Sequence, residues 1–175
     1  MSNRRLLRSG LGMMLLFWVL LMGVGTWWLQ GGLEDMFRPN AQLVNAAPDN
    51  EPVTLKRNRA GHFVAPGYIN GEPVRFLLDT GATYVAIPAS LAEELGLKSG
   101  RSAWFNTANG RVEGSLTEVE EIALGGIRLR NVKGSISPGM EGDTVLLGMS
   151  FLNHLAIEIR DGEMLLSPPT SKYIP

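Results

Sequence analysis

The chain has 175 residues, 45% hydrophobic and 19% charged, with a formal net charge of −1 and no cysteine. That balance leaves no electrostatic footprint for a nucleic-acid partner. The missing cysteines exclude disulfides, thiol nucleophiles and thiolate metal sites, and only two histidines, His62 and His154, are present for a histidine-built one. With 21 Gly and 10 Pro, turns should be frequent, which favours an all-β body of short strands.

In chain order, the first element is apolar. No residue from Ser9 to Leu33 is charged, and Leu11 to Leu29 is dominated by Leu, Met, Val, Phe and Trp. A membrane-crossing helix needs about 20 such residues, so residues 1–33 read as a cytoplasmic stub and a transmembrane anchor. Arg4, Arg5 and Arg8 precede the stretch, and Glu34 and Asp35 are the first charges after it. The basic flank stays inside, so the body is expected on the periplasmic or extracytoplasmic side of the inner (cell) membrane. A cleaved signal peptide fits less well, because the small-residue site Val44-Asn45-Ala46 lies far beyond an already long apolar stretch. Residues 34–52, with Pro39, Pro48 and Pro52 among polar residues and no apolar period, read as a flexible linker.

Residues 53–167 carry a β pattern. Val53 to Lys56 is a short strand. His62 to Ile69 and Pro73 to Leu78 flank Asn70-Gly71, the dipeptide that suits a two-residue hairpin turn. The second of these strands ends in Phe76-Leu77-Leu78-Asp79-Thr80-Gly81-Ala82-Thr83, a buried-type apolar run that places one carboxylate at the edge of a core, inside a turn of small residues. Val85 to Ile87 is a brief strand, and Pro88 opens a helix that stops at Gly96. Ala103 to Glu113 holds Trp104, Phe105 and a second hairpin signal at Asn109-Gly110. Ser115 to Leu124 and Ile127 to Ile136 are joined at Gly125-Gly126. Glu118 to Glu121 breaks alternation, which predicts a bulge or an exposed edge. Val145-Leu146-Leu147-Gly148 is a second apolar run, Met149 to Leu155 is read as a helical turn, and the last two strands turn at Asp161-Gly162. Residues 168–175 form a Pro-rich tail.

The order apolar-apolar-Asp79-Thr80-Gly81-Ala82 resembles the active-site signature of the aspartic proteases, the retroviral type above all. The resemblance runs from Val53 to Leu166: a hairpin into the motif, a second hairpin where the family keeps its flap, then Val145 to Gly148 where an apolar-apolar-Gly segment passes beside the catalytic loop. Gly61-His62-Phe63, Ile69-Asn70-Gly71 and Asp79 to Thr83 follow one another as in bacterial membrane-anchored retropepsin-like proteases. The resemblance implies a closed acid-protease β-barrel of about six strands with one short helix, and no metal or organic cofactor. It implies catalytic roles for Asp79, Thr80 and Gly81, and substrate contacts from Ala82, Trp104, Phe105, Asn109 and Gly110.

Such chemistry needs two carboxylates sharing one proton and one water, because like charges about 3 Å apart do not both ionise. The chain has one such motif. Asp143-Thr144 lacks the glycine and the apolar lead-in, so the second acid is expected from a second chain, in a homodimer acting on polypeptides. Two other readings compete with this one. Gly148-Met149-Ser150 begins like a nucleophile elbow but lacks its second glycine, so Ser150 reads rather as a helix cap and His154 as a surface or hydrogen-bond-satisfied residue. A catalytically inactive peptide-binding or dimerisation module on the same fold is the alternative of another class.

Overall fold

The computed structural model describes residues 12–27, 39–44, 48–107 and 110–168. The chain divides into two units, Met1–Phe37 and Arg38–Pro175. In the first, residues 12–27 form a helix (α1) whose side chains are all exposed. No helix among the described residues is long and apolar enough to cross a membrane. Leu11, Trp28 and Leu29, the ends of the expected span, lie outside the described residues.

The second unit carries ten strands among its described residues. They are β1 (Val53–Lys56), β2 (Val64–Ile69), β3 (Glu72–Leu78), β4 (Val85–Pro88), β5 (Ser102–Thr107), β6 (Gly110–Leu124), β7 (Ile127–Ser137), β8 (Thr144–Leu147), β9 (Ala156–Arg160) and β10 (Glu163–Ser167). Two short helices interrupt them, α2 (Ala89–Glu94) and α3 (Met149–Leu152), where one was expected. Seven strands lie in the order β2-β3-β8-β4-β7-β6-β5, and β6 also reaches back to β2 through Tyr68↔Ala123 and Ile69↔Ile122. The remaining three form a separate sheet, β1-β10-β9.

Local chemistry accounts for the turns. Asn70 and Gly71 sit at φ 51° and 87°, the doubly left-handed turn that holds β2 and β3 in register. Asn70 does more than turn the chain. Its N–H donates to the Glu121 carbonyl and its Oδ1 accepts from the Glu121 N–H, both at 3.0 Å, clamping the hairpin to β6. Helix α2 ends in a Schellman pattern, with Gly96 N–H on Glu93 O at 3.1 Å and Leu97 N–H on Ala92 O at 2.9 Å. Pro88 is the last residue of β4 and the N-cap, one position before the helix it was expected to open.

Three expectations are corrected. The register of β6 with β7 is constant from Ser115↔Ile136 to Leu124↔Ile127, with no extra residue and so no bulge; pairing is skipped only at Glu120, opposite Asn131 at φ 54°. On its other side β6 meets β5 up to Ser115 and β2 at Ile122 and Ala123, so among the described residues Glu118 to Glu120 lie on the exposed edge that was the other expectation. Val119 is fully buried there between two exposed glutamates, which makes the run alternate after all. Ser150 is not a cap, because Gly148 holds that position. Nor are the described residues of the 34–52 segment free linker. Asn40 is 1% exposed and makes three hydrogen bonds, donating to Lys56 O (2.9 Å) and Val64 O (2.8 Å) and accepting from Lys56 N–H (2.7 Å). Asn50 N–H donates to Gly126 O, and the Asp49 carboxylate holds Arg128 at 3.0 Å, raising its already high pKa.

The core between these elements is continuous. Phe76, Ile122, Leu124, Val145, Leu147, Phe151 and Leu152 are fully buried within it, while Leu77, expected to be buried, is half-exposed. Deep burial of Phe76, Val145 and Leu147 fixes β3 and β8 side by side, which places the chain that follows each of them.

Candidate active site

Strands β3 and β8 run parallel, Phe76 beside Val145 and Leu78 beside Leu147. Both end together, so the Asp79 loop and the start of α3 leave the sheet at the same point. Asp79 N–H continues the ladder onto Leu147 O at 3.2 Å. Its carboxylate is half-buried, and Oδ1 accepts from Gly81 N–H at 2.8 Å, an Asx turn closed by Ala82 N–H on Asp79 O at 3.2 Å. Thr80, Gly81 and Thr83 are exposed, and Ala82 is half-buried.

The far side of the loop is held by α3. Met149 N–H donates to Ala82 O at 2.8 Å and Ser150 N–H to Thr83 O at 2.9 Å, using donors that a helix start leaves unpaired. Ser150 Oγ accepts from Val85 N–H (3.0 Å) and donates to Lys133 O (2.6 Å), tying β4 to β7 directly behind the loop. A side chain on Gly148 would meet Tyr84 O at 2.3 Å and Ala82 O at 2.7 Å, so only glycine permits this approach. The result is a carboxylate on a loop whose backbone is bound on three sides, with Asp79 Oδ1 oriented by that backbone.

The structure sorts the other predicted residues. Phe105 and Trp104 are neighbours on β5, so they face opposite sides of the β5–β6 hairpin. Phe105 turns toward the Asp79 segment and meets the Tyr84 ring edge-on, centroids 6.1 Å apart at 87°. Trp104 is on the other face, 58% exposed, with the Arg111 guanidinium 4.9 Å above its ring. Asn109 lies outside the described residues. Gly110 opens β6 at φ 108°, and its carbonyl accepts from Thr107 Oγ1 at 2.8 Å. Asp143 is not gathered to Asp79. The β3–β8 register sets Thr144 beside Arg75, four residues upstream of Asp79, and Asp143 pairs with Arg75 at 3.5 Å.

Tyr84 is the residue that sequence reading missed. Its signal was position alone: it is the fifth residue after Asp79, the last of the loop before β4. His154, as expected, sits exposed, with Nδ1 3.3 Å from Phe151 O. Asp161 and Gly162 form the expected turn, at φ 50° and 82°.

Comparison with known proteins covers this same region. A family model described as "gag-polyprotein putative aspartyl protease" matches residues 65–154, just over half of the chain, from β2 through α3. A curated relative, an uncharacterized protein in the cobV 5' region of a Sinorhizobium species, is 31% identical over 138 residues. An uncharacterized protein of Rickettsia prowazekii (strain Madrid E) is 29% identical over 103 residues. The matches take in 77% and 57% of this chain, which spans only 59% and 44% of those relatives. Among solved structures, a retropepsin-like aspartic protease from Rickettsia conorii superposes with a TM-score of 0.57 at 29% identity, covering 67% of this chain and 91% of that one. The matched segment carries Asp79, its loop and the α3 residues that bind it, and the chain belongs to the family of retropepsin-like aspartic proteases.

Proposed function

We propose that the chain is an aspartic endopeptidase that works as a homodimer, one Asp79 from each copy acting on a shared water. The observation that carries this is the Asp79 loop: its backbone is bound by β8 and α3, so the carboxylate is held in place at half burial with Thr80 and Gly81 exposed beside it. A single chain supplies one such acid. In the dimer the ionised Asp79 takes a proton from water as its oxygen attacks the scissile carbonyl carbon. The protonated Asp79 gives its proton to the carbonyl oxygen, forming a gem-diol. The C–N bond then breaks as the newly protonated Asp79 passes its proton to the leaving nitrogen and the other takes one back from a diol hydroxyl, regenerating the carbonyl. Thr80 braces the two loops across the two-fold, Gly81 and Ala82 offer backbone to an extended polypeptide, and the β5–β6 hairpin closes over it. On that hairpin Phe105, with Tyr84, is the residue that lines the substrate side. Trp104 belongs to the outer face.

The pairing of β6 with β2 supports reading the main sheet as a closed barrel. The uncharged stretch from Ser9 to Leu33 and the arginines before it support a membrane anchor, with the protease domain on the extracytoplasmic side. Tethering raises the effective concentration of two copies, so a weak dimer suffices.

The test compares the full chain with Asp79→Asn on an unfolded protein substrate between about pH 4 and 8, with the association state measured alongside. Cleavage by the wild type alone, rising with the dimer fraction, is expected. Full activity from a strictly monomeric chain sinks the shared-Asp mechanism. A verified dimer that cleaves nothing returns the fold to a binding role.

A further inference from the structure

Alternation along β3 gives the strand two unlike faces. Val74, Phe76 and Leu78 are buried, so Arg75 and Leu77 stand on the opposite, outer face. Asp79 N–H continues the ladder onto Leu147 O, which keeps Asp79 in step with Leu77 and Arg75 on that face. The neighbouring strands extend it. Val64 lies opposite Leu77 and Pro66 opposite Arg75, while Leu146 lies beside Leu77. The half-exposed side chains of Leu77, Leu146 and Val64 therefore form an apolar lane that begins at Asp79.

At its far end the lane opens into a cavity of about 430 Å³ walled by Val64, Pro66 and, from α2, Leu91. Charge enters this wall at Arg75, Asp143 and Glu94, the last residue of α2. Asp143 pairs with Arg75 at 3.5 Å, whereas Glu94 has no ion-pair partner among the described residues. The wall thus sets two carboxylates against one guanidinium, beside apolar side chains. The group that complements both features has an apolar stem and a cationic head, which describes a Lys or Arg side chain.

We infer that this cavity binds a Lys or Arg side chain of the polypeptide substrate, about four residues from the bond that is cut. This rests on the endopeptidase reading of Asp79 and names a feature of its substrate. The position follows from strand geometry. Arg75 precedes Asp79 by four residues, about 13 Å of strand, and an extended polypeptide crosses that distance in the same number of residues. Leu77 and Leu146 offer apolar contact to the residues in between. Glu94 supplies the charge that holds the cationic head, and Val64, Pro66 and Leu91 cover its stem. Each copy of the chain carries one cavity, so a two-fold dimer sets one on either side of the bond, and the preference applies on both sides.

Two readouts on full-length chains in detergent micelles test this. In the first, unfolded casein is digested by the wild type and by Glu94→Lys, and the cut bonds are mapped by mass spectrometry. Glu94 is exposed, so the substitution leaves the fold intact. For the wild type, Lys and Arg should be enriched about threefold at the distal position, which is what one exposed ion pair is worth. Glu94→Lys should reverse this in favour of Asp and Glu. Identical profiles overturn the inference, as does a preference for apolar residues alone in both proteins. The second readout uses no cleavage. Two labelled decapeptides of Val and Thr, differing only in a Lys or a Glu near one end, are titrated with Asp79→Asn chains and followed by fluorescence anisotropy. The Lys peptide should bind about threefold tighter, and adding Glu94→Lys should invert the order. Binding of neither peptide, or equal affinities before and after that change, overturns the inference. Inverted binding without any cleavage by the wild type leaves the cavity standing and removes the endopeptidase reading alone.

Discussion

Replacing Asn40 by alanine removes three hydrogen bonds at a position that is 1% exposed, to Lys56 N–H, Lys56 O and Val64 O. Each bond is worth about 1 kcal/mol net, and each group left unpaired and dry costs more than that. A cavity of about 430 Å³ lies beside Asn40, lined also by Val64, Pro66, Arg75 and Leu91, with no residue of the Asp79 loop in its wall. Water entering from it repairs part of the loss. The expected cost of Asn40→Ala is therefore about 2–3 kcal/mol. Asn40→Asp is a sharper probe. It keeps the acceptor for Lys56 N–H but aims a carboxylate at two carbonyl oxygens. Burial there favours the neutral acid, so the folded-state pKa rises above the unfolded one, and the added penalty grows as pH climbs above about 4. The assay is urea unfolding of the full chain followed by circular dichroism, read as a midpoint shift at unchanged slope. Both variants within about 0.5 kcal/mol of the wild type would refute the reasoning and return residues 34–52 to the role of a free tether.

Gly148→Ala should cost about 2–4 kcal/mol, because a methyl there meets the carbonyls of Ala82 and Tyr84 and must prise α3 from the loop, weakening two backbone hydrogen bonds. Thermal unfolding reads the loss, and cleavage by the folded fraction should fall at least tenfold, about what a misplaced catalytic group costs. Ser150→Ala leaves Val85 N–H without its acceptor and should destabilise by about 1–3 kcal/mol. Measured where the chain is still folded, its cleavage should stay near that of the wild type. Loss of activity without loss of stability would make Ser150 a nucleophile and revive the serine-hydrolase reading.

The turns of this protein were legible from single residues because their backbone angles are. Asn70-Gly71, Gly96 and Asp161-Gly162 all sit at positive φ, a demand that few residue types meet and that no distant contact needs to explain. The Asp79 motif was legible for the same reason: an apolar strand, an acid and a glycine in sequence make the strand end and the Asx turn by themselves. The run from Val145 to Gly148 showed its burial in its composition, but not its partner.

What only the tertiary structure decided depends on residues brought together from far along the chain. Asn40 looked like linker because the residues around it show no apolar period; the groups it binds lie 16 and 24 residues away. Ser150 looked like a cap because caps are local, whereas it bridges Val85 and Lys133, 65 and 17 residues off. Trp104 and Phe105 are equally aromatic, and the pleat alone sends one to Tyr84 and the other to solvent. The sequence by itself therefore determined the family, the strand ends and the position of the Asp79 motif, since each is encoded in contiguous residues. Which backbone holds Asp79 still depended on the parallel pairing of β3 with β8 and on the contacts of α3, which are properties of the folded chain.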